Sequence, residues 1–211
     1  MNSKIQSSSQ DELENKTLII NFSLRQNSGS LKISNYIKSK LTQSSVLSYI
    51  DMNLPMWDEG VWKNEEKWIK LLAPIKKEIS LSDAFVFVVP EYSGSASPAF
   101  FNFMLFLGSF EEASHKPALI VTNSSSRGGT YPQSQIRGYT SKNSRIVYIP
   151  EHIIVRNNAD VLNTELNTVN SDDQFIRDRI DYSLMVLAEY SKRLKGLSSM
   201  IQPDPRFKNG M

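Results

Sequence analysis

Three short polar segments each follow an apolar run, and their residues are of the kind that bind rather than cleave. Thr17 to Phe22 leads into Ser23-Leu24-Arg25-Gln26-Asn27-Ser28-Gly29-Ser30 (loop 1). Ala84 to Val89 leads into Pro90-Glu91-Tyr92-Ser93-Gly94-Ser95 (loop 2), and Pro117 to Thr122 into Asn123-Ser124-Ser125-Ser126-Arg127-Gly128-Gly129 (loop 3). In loop 1, Ser23, Ser28 and Ser30 bring hydroxyls and Arg25 a fixed positive charge, directly before a helical pattern. Exposed amides and the dipole at a helix N-terminus favour an anion there, most often a phosphate. The same serines suit a plain helix cap, so Ser28 and Ser30 carry both readings. Loops 2 and 3 are small and, apart from Glu91 and Arg127, uncharged. Such segments can lie along a flat ring and donate amide hydrogen bonds to its edge, with Tyr92 stacked on or beside it. Surface turns have the same composition.

Several chemistries are excluded or lose support. No Gly-Lys-Ser or Gly-Lys-Thr follows the first strand, which argues against a triphosphate-hydrolysing loop, and no Gly-x-Gly-x-x-Gly argues for a dinucleotide bound at its first turn. A mononucleotide remains the natural candidate. Cysteine is absent, which removes disulfides, thiolate metal sites and a cysteine nucleophile, and His115 and His152 are the only histidines. The net charge of +2, without a long run of either sign, gives no footprint for nucleic acid. No segment reaches the roughly 18 consecutive apolar residues of a membrane span. Met1 to Lys16 lacks the apolar core of a signal peptide, so a cytoplasmic location is expected.

The elements that must position these loops are legible in outline. Short apolar runs alternate with longer amphipathic ones, the pattern of an α/β fold in which helices cover both faces of a parallel sheet. Five strands are expected, at about Leu18 to Phe22, Val46 to Asp51, Ala84 to Val89, Ala118 to Thr122 and Arg145 to Tyr148. They suit a doubly wound three-layer sandwich with its ligand site at the strand ends. Ile33, Ile37 and Leu41 predict a helix directly beyond loop 1. Trp62 to Ser80 reads as helical with a kink or break at Pro74. Pro98 opens an all-apolar helix that stops at Gly108. Ser171-Asp172-Asp173-Gln174 fits a capping box, and Ile176, Ile180, Leu184 and Leu187 line one face of a last helix closed by Gly196. The domain is expected over residues 17–200, between a flexible leader (1–16) and an irregular tail (201–211).

In this order and spacing the loops resemble the NADPH-dependent FMN reductase family, whose fold is flavodoxin-like. Its first loop commonly reads Gly-Ser-x-Arg-x-x-Ser, matched by Phe22 to Ser28 at the serines and the arginine. Its Pro-Glu-Tyr-Asn-Gly-Ser appears as Pro90 to Ser95, a later asparagine falls on Asn102, and its serine and glycine segment on Ser124 to Gly129. Phe22 replaces a common glycine, Ser93 the usual asparagine and Phe101 a frequent lysine. The resemblance spans about Thr17 to Asn157. It implies that Ser23, Arg25, Ser28 and Ser30 hold the FMN phosphate, that Pro90, Glu91, Tyr92, Ser93 and Gly94 lie along the isoalloxazine, and that Ser124, Ser125, Ser126, Arg127, Gly128 and Gly129 meet its far edge. No catalytic side chain and no metal are implied. NADPH or NADH would reduce the flavin, which would pass electrons to a small-molecule acceptor such as a quinone, a free flavin or an azo compound.

Other residues carry weaker expectations. His115 reads as a surface residue, and His152, taken to follow the last strand, as structural or near the flavin edge or a partner subunit. Trp57, Trp62 and Trp68 suit either the core or a subunit contact in a homodimer or homotetramer. Arg137 and Lys142 could attract the 2′-phosphate of NADPH. A non-enzymatic electron carrier and a flavin-free scaffold are the alternatives. The slightly basic charge disfavours the carrier, since flavodoxins proper tend to be strongly acidic.

Overall fold

The computed structural model describes residues 15–163, 170–201, 204 and 206. The expected leader lies almost wholly outside these residues, as does most of the tail. In chain order the elements are β1 (Thr17–Asn21), α1 (Gly29–Ser39), β2 (Ser44–Ser48), α2 (Tyr49–Met52), α3 (Glu66–Ser80), β3 (Ala84–Tyr92), β4 (Ser95–Ala96), α4 (Pro98–Leu107), β5 (Pro117–Asn123), α5 (Thr130–Tyr139), α6 (Ser141–Ser144), β6 (Val147–Val155), α7 (Ser171–Leu194) and α8 (Leu197–Met200). The parallel strands lie in the order β2-β1-β3-β5-β6, and β4 folds back antiparallel on the end of β3. This is the expected doubly wound sandwich of the flavodoxin-like class.

Burial explains the sequence pattern. β1 and β5 are buried along their whole length and β3 up to Pro90, so they read as unbroken apolar runs, as strands covered on both faces do. Alternate residues divide between two cores. Leu18, Ile20, Phe85, Phe87 and Ile120 pack under α3, α4 and α5, while Ile19, Val86, Val88, Leu119 and Val121 pack under α1 and α7. Phe22 continues β1 by one residue, its amide donating to the Val88 carbonyl at 2.9 Å. Its ring meets Phe100, Phe103 and Phe87 at centroid distances of 5.0, 5.4 and 5.8 Å. The phenylalanine at the entrance of loop 1 is therefore a core anchor.

Four expected elements are corrected. β2 starts at Ser44 and ends at Ser48, and Tyr49 to Asp51 turn into α2; an edge strand that is half-buried throughout accepts the polar Ser44 and Ser45. β6 runs to Val155, through Pro150 and past His152. An edge strand tolerates a proline without an amide, and here a bulge sets five residues of β6, Tyr148 to His152, against three of β5, Ala118 to Ile120. Helix α3 begins at Glu66 and continues through Pro74, which lies on its exposed side, where water can serve the carbonyl left without its helical amide. The cap of α7 is Asn170, whose side chain accepts from the Asp173 amide at 2.9 Å, one residue ahead of the expected Ser171. Gly196, at φ 82°, ends that helix as expected.

Candidate functional site

Loops 1, 2 and 3 leave the carboxyl ends of β1, β3 and β5, three adjacent strands, so they meet at one sheet edge. Loop 1 is shaped by its own side chains. Asn21 Oδ1 accepts from the Ser23 amide at 3.0 Å, and Ser23 Oγ accepts from the Arg25 amide at 3.1 Å. Ser28 caps α1 by accepting from the Leu31 amide at 3.1 Å. Ser30, buried in the first turn of α1, donates to Asn123 Oδ1 at 3.1 Å and so turns inward to loop 3. Arg25 is exposed, and the first turn of α1 holds no acidic residue. An exposed guanidinium beside a helix N-terminus is a donor set suited to a dianionic phosphate.

Loop 2 is a tight hairpin rather than an open loop. Ser93 and Gly94 have φ of 50° and 78°, the two positive values of a two-residue turn that matches strand twist. The Ala96 amide donates to Gln135 Oε1 at 2.8 Å and the Ser97 amide to the Pro90 carbonyl at 3.1 Å. Tyr92 sends its hydroxyl to loop 1, where it accepts from the Leu24 amide at 3.1 Å and lies 3.0 Å from Ser23 Oγ. The tether engages the hydroxyl of Tyr92 and not the faces of its ring. Glu91 reaches the other way, and its carboxylate accepts from the Gly129 amide.

In loop 3, Ser125, Ser126 and Arg127 are exposed, while Ser124 is buried and accepts from the Ser126 amide at 3.3 Å. Gly129 stands at φ 101°, and a Cβ there would lie 2.7 Å from Ile154. A Cβ on Gly128 would lie 2.5 Å from the Glu91 carboxylate. The segment after β6 fastens these parts. Asn158 donates to Asn123 Oδ1 at 3.0 Å and packs so closely on Gly29 that a Cβ there would come within 2.6 Å. Arg156 donates to the Arg127 carbonyl at 2.9 Å and to Thr130 Oγ1 at 3.2 Å. Sequence reasoning missed Asn21, Asn123, Asn158 and Arg156. The asparagines ending β1 and β5 were the available signal.

The remaining expected residues are scattered. Asn102 lies on the buried side of α4 and is fully engaged with Tyr49, Pro55 and Trp57. Arg137 Nη2 donates at the β6 bulge to the carbonyls of Ile149, Pro150 and Glu151 at 2.6, 3.0 and 3.1 Å, and Lys142 is exposed on α6. His115 precedes β5, at the end of the sheet away from the loops, and is half-buried rather than fully at the surface. His152 lies within β6, opposite Ile120. Burial, then Arg145, lowers the His115 pKa; burial, then Arg137 and Arg179, lowers that of His152. Trp68 is core, its indole donating to Asp58 at 2.9 Å, whereas Trp57 is half-buried and Trp62 exposed.

The sequence pattern of the NADPH-dependent FMN reductase family matches residues 15–160, which takes in all three loops and the clasp at Asn158. The chain belongs to that family. Membership makes this FMN reductase relative an oxidoreductase of a flavin-using kind. No curated protein matches the sequence significantly. Among solved structures, the chain is similar to FerB, a flavoenzyme NAD(P)H:(acceptor) oxidoreductase from Paracoccus denitrificans, at 15% identity and a TM-score of 0.64, covering 86% of this chain and 98% of that one. An oxidoreductase from Corynebacterium diphtheriae is similar at 16% identity and a TM-score of 0.66, over 85% and 98% of the chains. An azoreductase from Bacillus anthracis follows at 13% and 0.52, over 85% and 98%. At these identities the likeness establishes the fold. Among the described residues no helix is long and apolar enough to cross a membrane.

Proposed function

We propose that this chain is an NAD(P)H-dependent FMN oxidoreductase that passes reducing equivalents from a nicotinamide to a flat small-molecule acceptor, such as a quinone, a free flavin or an azo compound. The observation that carries the reading is that loop 1, with Arg25 and no acidic residue in the helix turn it enters, opens at the same sheet edge as two small loops whose only charges are Glu91 and Arg127. The FMN phosphate sits against Arg25, Ser23, Ser28 and the first-turn amides of α1. Ser30 contributes from beneath through its bond to Asn123. Pro90 to Gly94 line one side of the ring, and Ser124 to Gly129 its polar edge. Gly128 and Gly129 fit that place because a side chain on either would strike Glu91 or Ile154.

FMN when bound would supply the redox chemistry, taking two electrons and a proton as hydride and handing both electrons on, together or one at a time, with the proton passed to the acceptor or to water. The protein binds, orients and shields it. An open flavin face discriminates poorly among flat acceptors, which is why the acceptor is proposed as a class. A homodimer or homotetramer, with a neighbouring chain beside exposed Met56 and Trp62, would complete the cover over the flavin. The visible spectrum of the purified protein, with NADPH and then NADH added without oxygen, tests the reading. Flavin bands that bleach support it and reveal the preferred donor. Bands that persist favour an electron carrier, and no bands after FMN is supplied would overturn the assignment.

A further inference from the structure

Glu91 and Tyr92 are neighbours on the last two positions of β3, and strand alternation sends their side chains to opposite sides. Each side chain ends on a different loop. The Tyr92 hydroxyl accepts from the Leu24 amide at 3.1 Å and pairs with Ser23 Oγ at 3.0 Å in loop 1. The Glu91 carboxylate takes the Gly129 amide and abuts Gly128 in loop 3. The hairpin that follows is held rigid by its own turn and by the Ala96 to Gln135 bond. Loops 1 and 3, carried on strands with β3 between them, are thereby braced from one point.

A count of hydrogens adds a second element. Ser23 Oγ already accepts from the Arg25 amide and Tyr92 Oη from the Leu24 amide. The two hydroxyls own two protons, and one of these is spent in the bond between them. Where Ser23, which is fully buried, gives its proton to that bond, the proton of the half-buried Tyr92 hydroxyl is left for an outside acceptor. A bare amide loop would have to order itself around an anion; this one is ordered by Tyr92 and offers a hydroxyl donor as well.

We propose that Glu91 and Tyr92 are positioning residues with divided duties, Tyr92 presetting loop 1 for the phosphate of the flavin and Glu91 presetting loop 3 for its ring. The inference rests on the FMN reading above and goes beyond it by assigning the two side chains to opposite ends of the cofactor. Neither side chain needs to touch the ring.

The test compares FMN with riboflavin, which has the ring but no phosphate, as ligands of the same variants. Tyr92→Phe keeps the aromatic ring and removes the hydroxyl. It should weaken FMN roughly three- to ten-fold, the loss of about one neutral hydrogen bond, and leave riboflavin unchanged. Ser23→Ala removes the other hydroxyl of the pair and should give the same selective loss, which covers the case of a Tyr92 variant that fails to fold. Glu91→Ala should weaken both flavins by a similar factor, with Glu91→Gln restoring part of the loss because its amide oxygen can still accept from Gly129. Equal loss for both flavins in Tyr92→Phe and Ser23→Ala would overturn the division of labour while leaving FMN binding intact. A wild-type protein that binds neither flavin would overturn this proposal and the FMN reading together.

Discussion

The side-chain amide of Asn102 donates to the hydroxyl of Tyr49 at 2.7 Å, with both residues buried, and so fastens α4 to the turn that ends β2. The same amide donates to the Pro55 carbonyl, and its oxygen accepts from the Trp57 amide, each at 2.9 Å. Asn102 thus shapes the loop bearing Met56 and Trp57, from within the core. Replacing it by leucine leaves a phenol, a carbonyl and an amide without partners. Asn102→Leu is expected to lower stability by roughly 2 to 4 kcal/mol, read from urea denaturation. A loss below about 0.5 kcal/mol would mean that water replaces all three bonds.

The three central strands and the three loops were legible in sequence because strands buried on both faces leave continuous apolar runs and the loops beyond them are small and polar. The edges were not. β2 carries Ser44 and Ser45, and β6 carries Pro150, because edge strands are free of the requirements that make a run apolar and amide-rich. The bonds that assemble the site were also hidden. Tyr92 meets Ser23 across 69 positions and Asn158 meets Asn123 across 35, and no local pattern encodes a contact of that range. Phe22 shows the converse, since a departure from a loop motif became intelligible only once its ring was seen among Phe87, Phe100 and Phe103.

Ser93 occupies a left-handed position at φ 50° in an exposed turn, where asparagine is better tolerated than serine. Ser93→Asn is therefore expected to stabilise the fold by about 0.5 to 1 kcal/mol. Thermal unfolding measures this. A lower melting temperature would show that the serine makes a contact worth more than the turn preference.

Arg137 closes the β6 bulge through Nη2, which donates to the carbonyls of Ile149, Pro150 and Glu151. Arg137→Ala is expected to reduce stability by roughly 1.5 to 3 kcal/mol, the range for hydrogen bonds from a charged donor. The ratio of NADPH to NADH activity should stay the same. A selective fall in NADPH activity at unchanged melting temperature would return Arg137 to the donor site.

Arg25 is exposed in loop 1, so its removal should cost the fold little while taking a fixed charge from the phosphate. Arg25→Ala is expected to weaken FMN by about 1.5 to 3 kcal/mol, or roughly ten- to 150-fold, without a change in melting temperature of the flavin-free protein. The loss should shrink at high salt, because the lost term is an exposed charge pair. Fluorescence titration with FMN at two ionic strengths gives both numbers. An unchanged affinity would move the phosphate away from loop 1.

His152 sits half-buried in β6. Burial comes first among the causes holding its pKa below the usual value, followed by Arg137 and Arg179, while the Pro150 backbone and Glu151 oppose them. A histidine whose folded-state pKa is depressed binds its proton more readily in the unfolded chain. Stability is then full above the unfolded value of about 6.5 and falls as the pH drops through the window beneath it. His115, lowered by burial and by Arg145, adds to the same slope. Glu78, held low by Lys16 and Ser45, gives up its contribution only further down, through the carboxylate range. The melting temperature should therefore hold steady from pH 8 to about 7 and decline between about 6.5 and 5. His152→Gln, neutral throughout, should flatten part of that decline, and the double variant with His115→Gln should flatten more. An undiminished slope in the double variant would assign the acid sensitivity to carboxylates alone.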